Sequence, residues 1–187
     1  MEKIEIERRF LLKSIPDTSG MDRHKIVQIY SEYLYEDGFM ILNSGGFIFP
    51  LKKPFLSRST VRLRAIDNTI IELNIKSPSG GYKLEFEERI PFSLNLMNFI
   101  LNDANRVEKE RFSMKLHNYD IFHDIFRGRY EGLVVKEIEF HSGKDAQEYL
   151  PERDCLEIFD EHRLSNKDLY FSSEREIFNK IKNLFRQ

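Results

Sequence analysis

Charged and apolar residues alternate with a period of two along much of this chain. The pattern suits β-strands with one buried face and one polar face and does not suit amphipathic helices. In Ile4-Glu5-Ile6-Glu7-Arg8-Arg9-Phe10, a strand places Glu5, Glu7 and Arg9 on one face and Ile4, Ile6 and Phe10 on the other. Residues 59–65 alternate Val61 and Leu63 with Arg62 and Arg64, and residues 69–76 alternate Ile71, Leu73 and Ile75 with Glu72, Asn74 and Lys76. Residues 83–90 set Lys83, Glu85, Glu87 and Arg89 opposite Leu84, Phe86 and Ile90. Asp67-Asn68-Thr69 predicts a hairpin turn between the second and third of these strands.

The remaining text extends the pattern. Residues 25–35, rich in Ile, Val and Tyr, read as a strand, whereas Gly38, Gly45, Gly46, Pro50 and Pro54 make 36–59 an irregular insertion holding a hairpin or a mobile loop. Ser93 caps a helix with Leu94, Met97, Ile100 and Leu101 at helical spacing. Further strands are expected at 106–116, 118–126 and 133–140, a short helix at 144–150, and an amphipathic helix at 173–186 with the stripe Ile177, Phe178, Ile181, Leu184 and Phe185. About eight strands in antiparallel succession with a few helices predict an α+β domain with a barrel-like or strongly curved sheet. Closing that sheet with its charged faces inward makes a polar tunnel, its apolar faces covered by helices.

Composition narrows the function. At 187 residues, one domain spanning the chain is expected. The 29 basic and 31 acidic residues nearly balance, which argues against binding a nucleic acid polymer, where a basic excess is expected. A lone Cys155 excludes a disulfide framework and a multi-cysteine zinc site and fits a reducing compartment. There is no apolar signal core and no stretch of membrane-spanning length, so no membrane partner and a cytoplasmic location are expected.

The order and identity of the charged motifs resemble those of the CYTH superfamily, the triphosphate tunnel metalloenzymes. Glu5-Ile6-Glu7-Arg8-Arg9 resembles the ExExK signature that opens the family, in the manner of its bacterial inorganic triphosphatase-like members. Arg62 and Arg64 resemble its basic pair, Lys76 the lysine of the next strand, and Lys83-Leu84-Glu85-Phe86-Glu87 its basic-x-Glu-x-Glu strand. Lys109 and Arg111 resemble its Lys-x-Arg strand, and Asp124-Ile-Phe-Arg-Gly followed by Glu137-Ile138-Glu139 its late acidic pair. Asp160-Glu-His-Arg163-Leu-Ser-Asn166 is similar to its final polar segment.

The resemblance implies an eight-stranded antiparallel closed barrel, or tunnel, with helices outside, and metal-dependent chemistry on a triphosphate. It implies magnesium or manganese held by Glu5, Glu7, Glu137, Glu139 and Asp160. Such hard cations take oxygen ligands. The phosphates fall to Arg9, Arg62, Arg64, Lys76, Lys109, Arg111 and Arg163, with Lys83, Glu85 and Glu87 alongside. Arginine gives bidentate phosphate contacts and lysine a point charge. Glu5, Glu7, Arg9 and Lys76 are the implied catalytic group. Lys83, Glu85 and Glu87 can instead form a cross-strand ion-pair ladder, and Asp160 with Arg163 a structural pair.

Two features depart from the pattern. Position 9 is Arg where the signature has Lys, and Arg keeps the charge without being able to accept a proton. The tyrosine that partners this position in the family is either Tyr30 or Tyr33, which have opposite parity. The apolar run 46–51 packs on the barrel mouth or on a second copy in a homodimer. Hydrolysis of inorganic triphosphate is the expected activity, with nucleoside or thiamine triphosphates as other substrates. The alternatives are adenylate cyclisation and a non-catalytic module binding polyphosphate or a nucleotide.

Overall fold

The computed structural model describes residues 6–43, 45–50, 60–79, 82–159 and 162–186, and within them the side chains of 60, 76–79 and 82–85 are not described. In chain order the strands are β1 (Ile6–Leu12), β2 (Asp22–Ser31), β3 (Tyr33–Glu36), β4 (Phe39–Leu42), β5 (Ile48–Pro50), β6 (Thr60–Ile66), β7 (Ile70–Ser79), β8 (Tyr82–Ile90), β9 (Val107–Lys115), β10 (Tyr119–Arg127), β11 (Val134–Phe140) and β12 (Cys155–Ile158). The helices are α1 (Leu94–Asn102), α2 (Gly143–Glu148), α3 (Asn166–Phe171) and α4 (Glu174–Leu184). The chain divides into two compact units, one of Met1–Lys25 with Val107–Gln187 and one of Ile26–Arg106.

The first unit is built on antiparallel strands in the order β12-β1-β11-β10-β9. One face changes character along its length. Its lower part is apolar: Leu11, Phe126, Val135 and Ile158 join Leu164, Leu169 of α3 and Ile177 of α4 in one buried cluster. At roughly 1.5–3 kcal/mol per fully buried large apolar side chain, this cluster is what holds the C-terminal helices to the sheet. Ser165 and Asp168 form a capping box that starts α3, and Ser173 caps α4. The buried Tyr130 hydroxyl donates to the Leu169 and Ser172 carbonyls, which fixes the end of α3. The opposite face buries Phe10, Ile138 and Phe140 with Tyr119 and Tyr149. Arg8 lies on that face, gripping Glu157 through two 2.7 Å bonds and the Ala146 and Tyr149 carbonyls.

In the second unit, the antiparallel order is β2-β6-β7-β8, and β3-β4-β5 form a separate three-stranded sheet. Val27, Ala65 and Ile71 are in cross-strand register, as are Ile29, Leu63 and Leu73, and all are buried. Helix α1 packs on β6 and buries Leu96, Met97 and Ile100, with Ser93 as its cap. The expected turn at 67–69 joins β6 and β7: Asp67 and Asn68 have φ of 50° and 55°, and a 3.0 Å bond from Thr69 N to Ile66 O closes it.

The α+β, antiparallel character matches the sequence expectation, but the eight-stranded closed barrel is not what the described residues form. Among the described residues there are twelve strands, with β12 hydrogen-bonded to β1 alone and β8 to β7 alone, so neither unit's described strands close into a ring. Period-two alternation reports which side chains share a face and carries no information on closure. The single strand expected at 25–35 is two, β2 and β3, and the irregular stretch from 36 contains β4 and β5. Among the described residues, no helix is long and apolar enough to cross a membrane.

Candidate functional site

The charged end of the first unit's sheet follows directly from strand register. Glu7 lies opposite Glu139, and Glu139 opposite Asp120. Arg9 lies opposite Glu137, and Asp124 opposite Arg111. Like charges placed directly opposite across a sheet are unfavourable by themselves, and Asp120 has the His141 imidazole Nε2 3.5 Å away.

Beside this row stands a dense ion-pair network. Asp124, 2% exposed, accepts from Arg111 Nε and Nη2 at 2.7 Å each and from Lys109 Nζ, itself 2% exposed. Arg111 Nη2 extends to Glu137 Oε2 at 3.3 Å, and its guanidinium lies over the Phe122 ring. Burial pushes the Asp124 carboxyl up, but the charges and hydrogen bonds of Arg111 and Lys109 outweigh it and hold the group well below the usual carboxylate range. Burial, with Arg111 adding repulsion, pushes Lys109 down to about 7 against the pull of Asp124 and Glu137. Arg9 donates to the Leu164 carbonyl at 2.9 Å, tying β1 to the segment ahead of α3.

The second unit carries a charged face of its own. In register, Tyr30, Arg62, Asn74 and Glu87 form one row, and Gln28, Arg64, Glu72 and Arg89 the next. Arg64 Nη1 donates to Glu72 Oε2 at 3.1 Å, and Arg89 approaches Glu72 Oε1 at 3.5 Å. Arg62 reaches Glu87 at 3.4 Å, and Asn74 Nδ2 donates to the same oxygen at 3.2 Å. Gln28 Nε2 and Arg62 Nε are buried and have no hydrogen-bond partner among the described residues. Tyr30 therefore shares the arginine face, and Tyr33 belongs to β3 in the other sheet.

The expected site residues fall into three groups. Glu7, Arg9, Glu137, Glu139, Lys109 and Arg111 come together on the first unit's face, with Lys109 buried against Asp124 rather than open to a ligand. Arg62, Arg64 and Glu87 come together on the second, where the backbone of Lys76 is in register with Glu85. Glu5 and Asp160 lie outside the described residues, as do the side chains of Lys76, Lys83 and Glu85. Arg163 is exposed and left-handed, with a φ of 51°. Among the described residues, no three His, Cys, Asp or Glu side chains are grouped closely enough to hold a metal. The chemistry of Glu7, Glu137, Glu139 and Asp120 nevertheless fits a hard cation, because all are oxygen donors on adjacent strands.

Sequence reasoning passes over Asp124, Asp120, Glu72 and Gln28 as site residues. Parity was the available signal, since each has the register of a residue already singled out.

No protein-family profile matches the chain. It is 29% identical over 174 residues to the curated inorganic triphosphatase of Nitrosomonas europaea, covering 90% of this chain and 97% of that protein. A solved structure of an inorganic triphosphatase matches with a TM-score of 0.58 and 27% identity, over 91% of this chain and 97% of its own. A solved structure of a hypothetical protein matches with the same TM-score of 0.58 and 28% identity, over 91% of this chain and 99% of its own.

Proposed function

We propose that this chain, a triphosphatase-like protein of the CYTH type, is a hydrolase that cleaves inorganic triphosphate to phosphate and pyrophosphate with a divalent cation. The observation that carries the reading is the register setting Glu7 opposite Glu139 and Arg9 opposite Glu137 on one strand face. Its support is the likeness to triphosphatases along nine-tenths of the chain.

In this reading, Glu7, Glu137 and Glu139, with Glu5 and Asp160 of the same motifs, hold magnesium or manganese. A cation held there would supply Lewis acidity toward the phosphoryl oxygens and the attacking water. Arg62, Arg64, Arg111 and Lys76 replace the counterions of the triphosphate and neutralise charge that builds on the phosphoryl oxygens as the terminal P–O bond breaks. Water adds to the terminal phosphorus, pyrophosphate leaves, and the proton lost from water passes to solvent or product. Arg9 binds phosphate and tethers the Leu164 segment; it is not the proton acceptor, because a guanidinium keeps its proton.

Arg9 in place of the signature lysine favours a second reading, a module that binds a polyphosphate or nucleotide without turnover. One experiment separates them. Inorganic triphosphate, thiamine triphosphate, ATP and GTP are each incubated with magnesium or manganese and the products identified. Phosphate release, fastest from inorganic triphosphate, is the expected result. Salt-sensitive triphosphate binding without release supports the module. Cyclic nucleotide with pyrophosphate indicates a cyclase, and no binding or release with either metal overturns all three.

A further inference from the structure

Arg111 is held on three sides. Its Nε and Nη2 donate side by side to Oδ1 and Oδ2 of Asp124 at 2.7 Å each, Nη2 also reaches Glu137 Oε2 at 3.3 Å, and its Cζ lies 4.8 Å from the centre of the Phe122 ring. A planar guanidinium gripped through two parallel bonds and stacked on a ring keeps one orientation. Nη1 carries none of these bonds. It is not one of the buried polar atoms left without a partner among the described residues, as Arg62 Nε and Arg64 Nε are, so it is open to solvent.

Asp124 is placed differently. Its side chain is 2% exposed and both of its oxygens are taken, Oδ1 by Arg111 and Oδ2 by Arg111 and Lys109. A carboxylate removed from water is costly unless cations accompany it, so these three groups fix one another. Lys109 is as deeply buried as Asp124, which leaves Arg111, 17% exposed, as the member of the three that meets solvent.

We infer that Asp124 is a positioning residue for phosphate binding: enclosed within the sheet face and out of reach of substrate, it holds the Arg111 guanidinium in the orientation that presents Nη1 to a phosphate oxygen. The inference rests on the triphosphate reading above and names the group that orients one of its phosphate ligands. An arginine ordered before binding loses less side-chain entropy per hydrogen bond formed, so the effect belongs in substrate affinity more than in the chemical step.

The test pairs kinetics with a readout independent of turnover. Asp124→Asn keeps the shape but sets an amide NH2 against a cationic donor, so Arg111 keeps at most one of its paired bonds. It is expected to raise KM for inorganic triphosphate about tenfold with kcat within about threefold, and to add less than about twofold to KM in an Arg111→Ala background. Ile177→Ala, which opens a cavity in the apolar cluster under α4, is expected to lower stability and leave KM within about twofold, separating positioning from loss of stability. In ligand-free protein, nitrogen-15 relaxation of the Arg111 side-chain Nε–H is expected to report an ordered guanidinium in the parent and a mobile one in Asp124→Asn. An unaltered KM, equal KM rises with and without Arg111, a rise as large in Ile177→Ala, or an Arg111 equally ordered in Asp124→Asn overturns the inference. So does a mobile Arg111 in the parent, whether or not Asp124→Asn folds. If the parent neither binds nor turns over triphosphate, the functional reading fails, and the relaxation measurement still decides whether Asp124 positions Arg111.

Discussion

The charged faces of the two units use similar residues to opposite ends. In the first, Asp124 is sealed from solvent and takes three donors from Arg111 and Lys109, while the remaining carboxylates Glu7, Glu139 and Asp120 stand in one cross-strand row. In the second, Glu72 takes one bond from Arg64, Glu87 is more exposed, and the amides Gln28 and Asn74 share the rows, Asn74 standing between Arg62 and Glu87. One face is a fixed lattice of charge beside a cross-strand row of carboxylates. The other is a looser set of guanidiniums, suited to phosphate oxygens. Burial marks the extremes of the two faces: Asp124 and Lys109, each 2% exposed, must be fully paired, whereas the Arg62–Glu87 pair, with Glu87 45% exposed, gains little and can change partners.

If the first face is the tighter, breaking it costs most. Asp124→Ala leaves Lys109 and Arg111 without their shared partner and is expected to destabilise the protein by about 3–5 kcal/mol, against about 1–2 kcal/mol for Glu72→Ala, by denaturant unfolding. Equal losses break the comparison. The same network sets acid behaviour. The Asp124 carboxyl is held below its ordinary 3.8, so its contribution is full above that value and is lost as pH falls through the lower folded value. The acid limb of the stability profile should flatten in Asp124→Asn.

Next in size, Glu137→Gln is expected to lower kcat for inorganic triphosphate about a hundredfold with the fold intact, since Glu137 is a proposed cation ligand and pairs with Arg111. Arg62→Ala, on the looser face, is expected to raise KM about tenfold and to reduce the salt dependence of binding, with a smaller change in kcat. Smallest of all, Lys144→Ala removes an exposed helix pair with Glu148 and should shift stability by less than about 0.5 kcal/mol.

Strand faces were legible in the sequence because alternation survives without any long-range information: Arg62, Arg64, Glu72 and Glu87 lie on the side that their parity predicts. The break between β2 and β3 was not, since residues 25–35 contain no Gly or Pro and the strand ends where Asn43 N pairs with Glu32 O, a contact set by distant residues. Strand β7 runs through Pro78 because, among the described residues, β8 is its neighbour beyond Lys76, an edge setting that tolerates proline. At four residues, β12 is too short for alternation to mark, whereas α3 had a readable capping signal in Ser165 and Asp168. The role of Asp124 was hidden for another reason: a residue quoted only as part of a motif becomes the centre of a network once β9 and β10 pair.

The proposed division of labour between the faces is tested most directly by titrating manganese into the 187-residue protein and reading bound ion by electron paramagnetic resonance. Parent protein and Arg64→Ala should bind with the same affinity, and Glu139→Gln should bind at least about tenfold more weakly. Equal affinity in all three, or a loss in Arg64→Ala as large as in Glu139→Gln, would contradict the account.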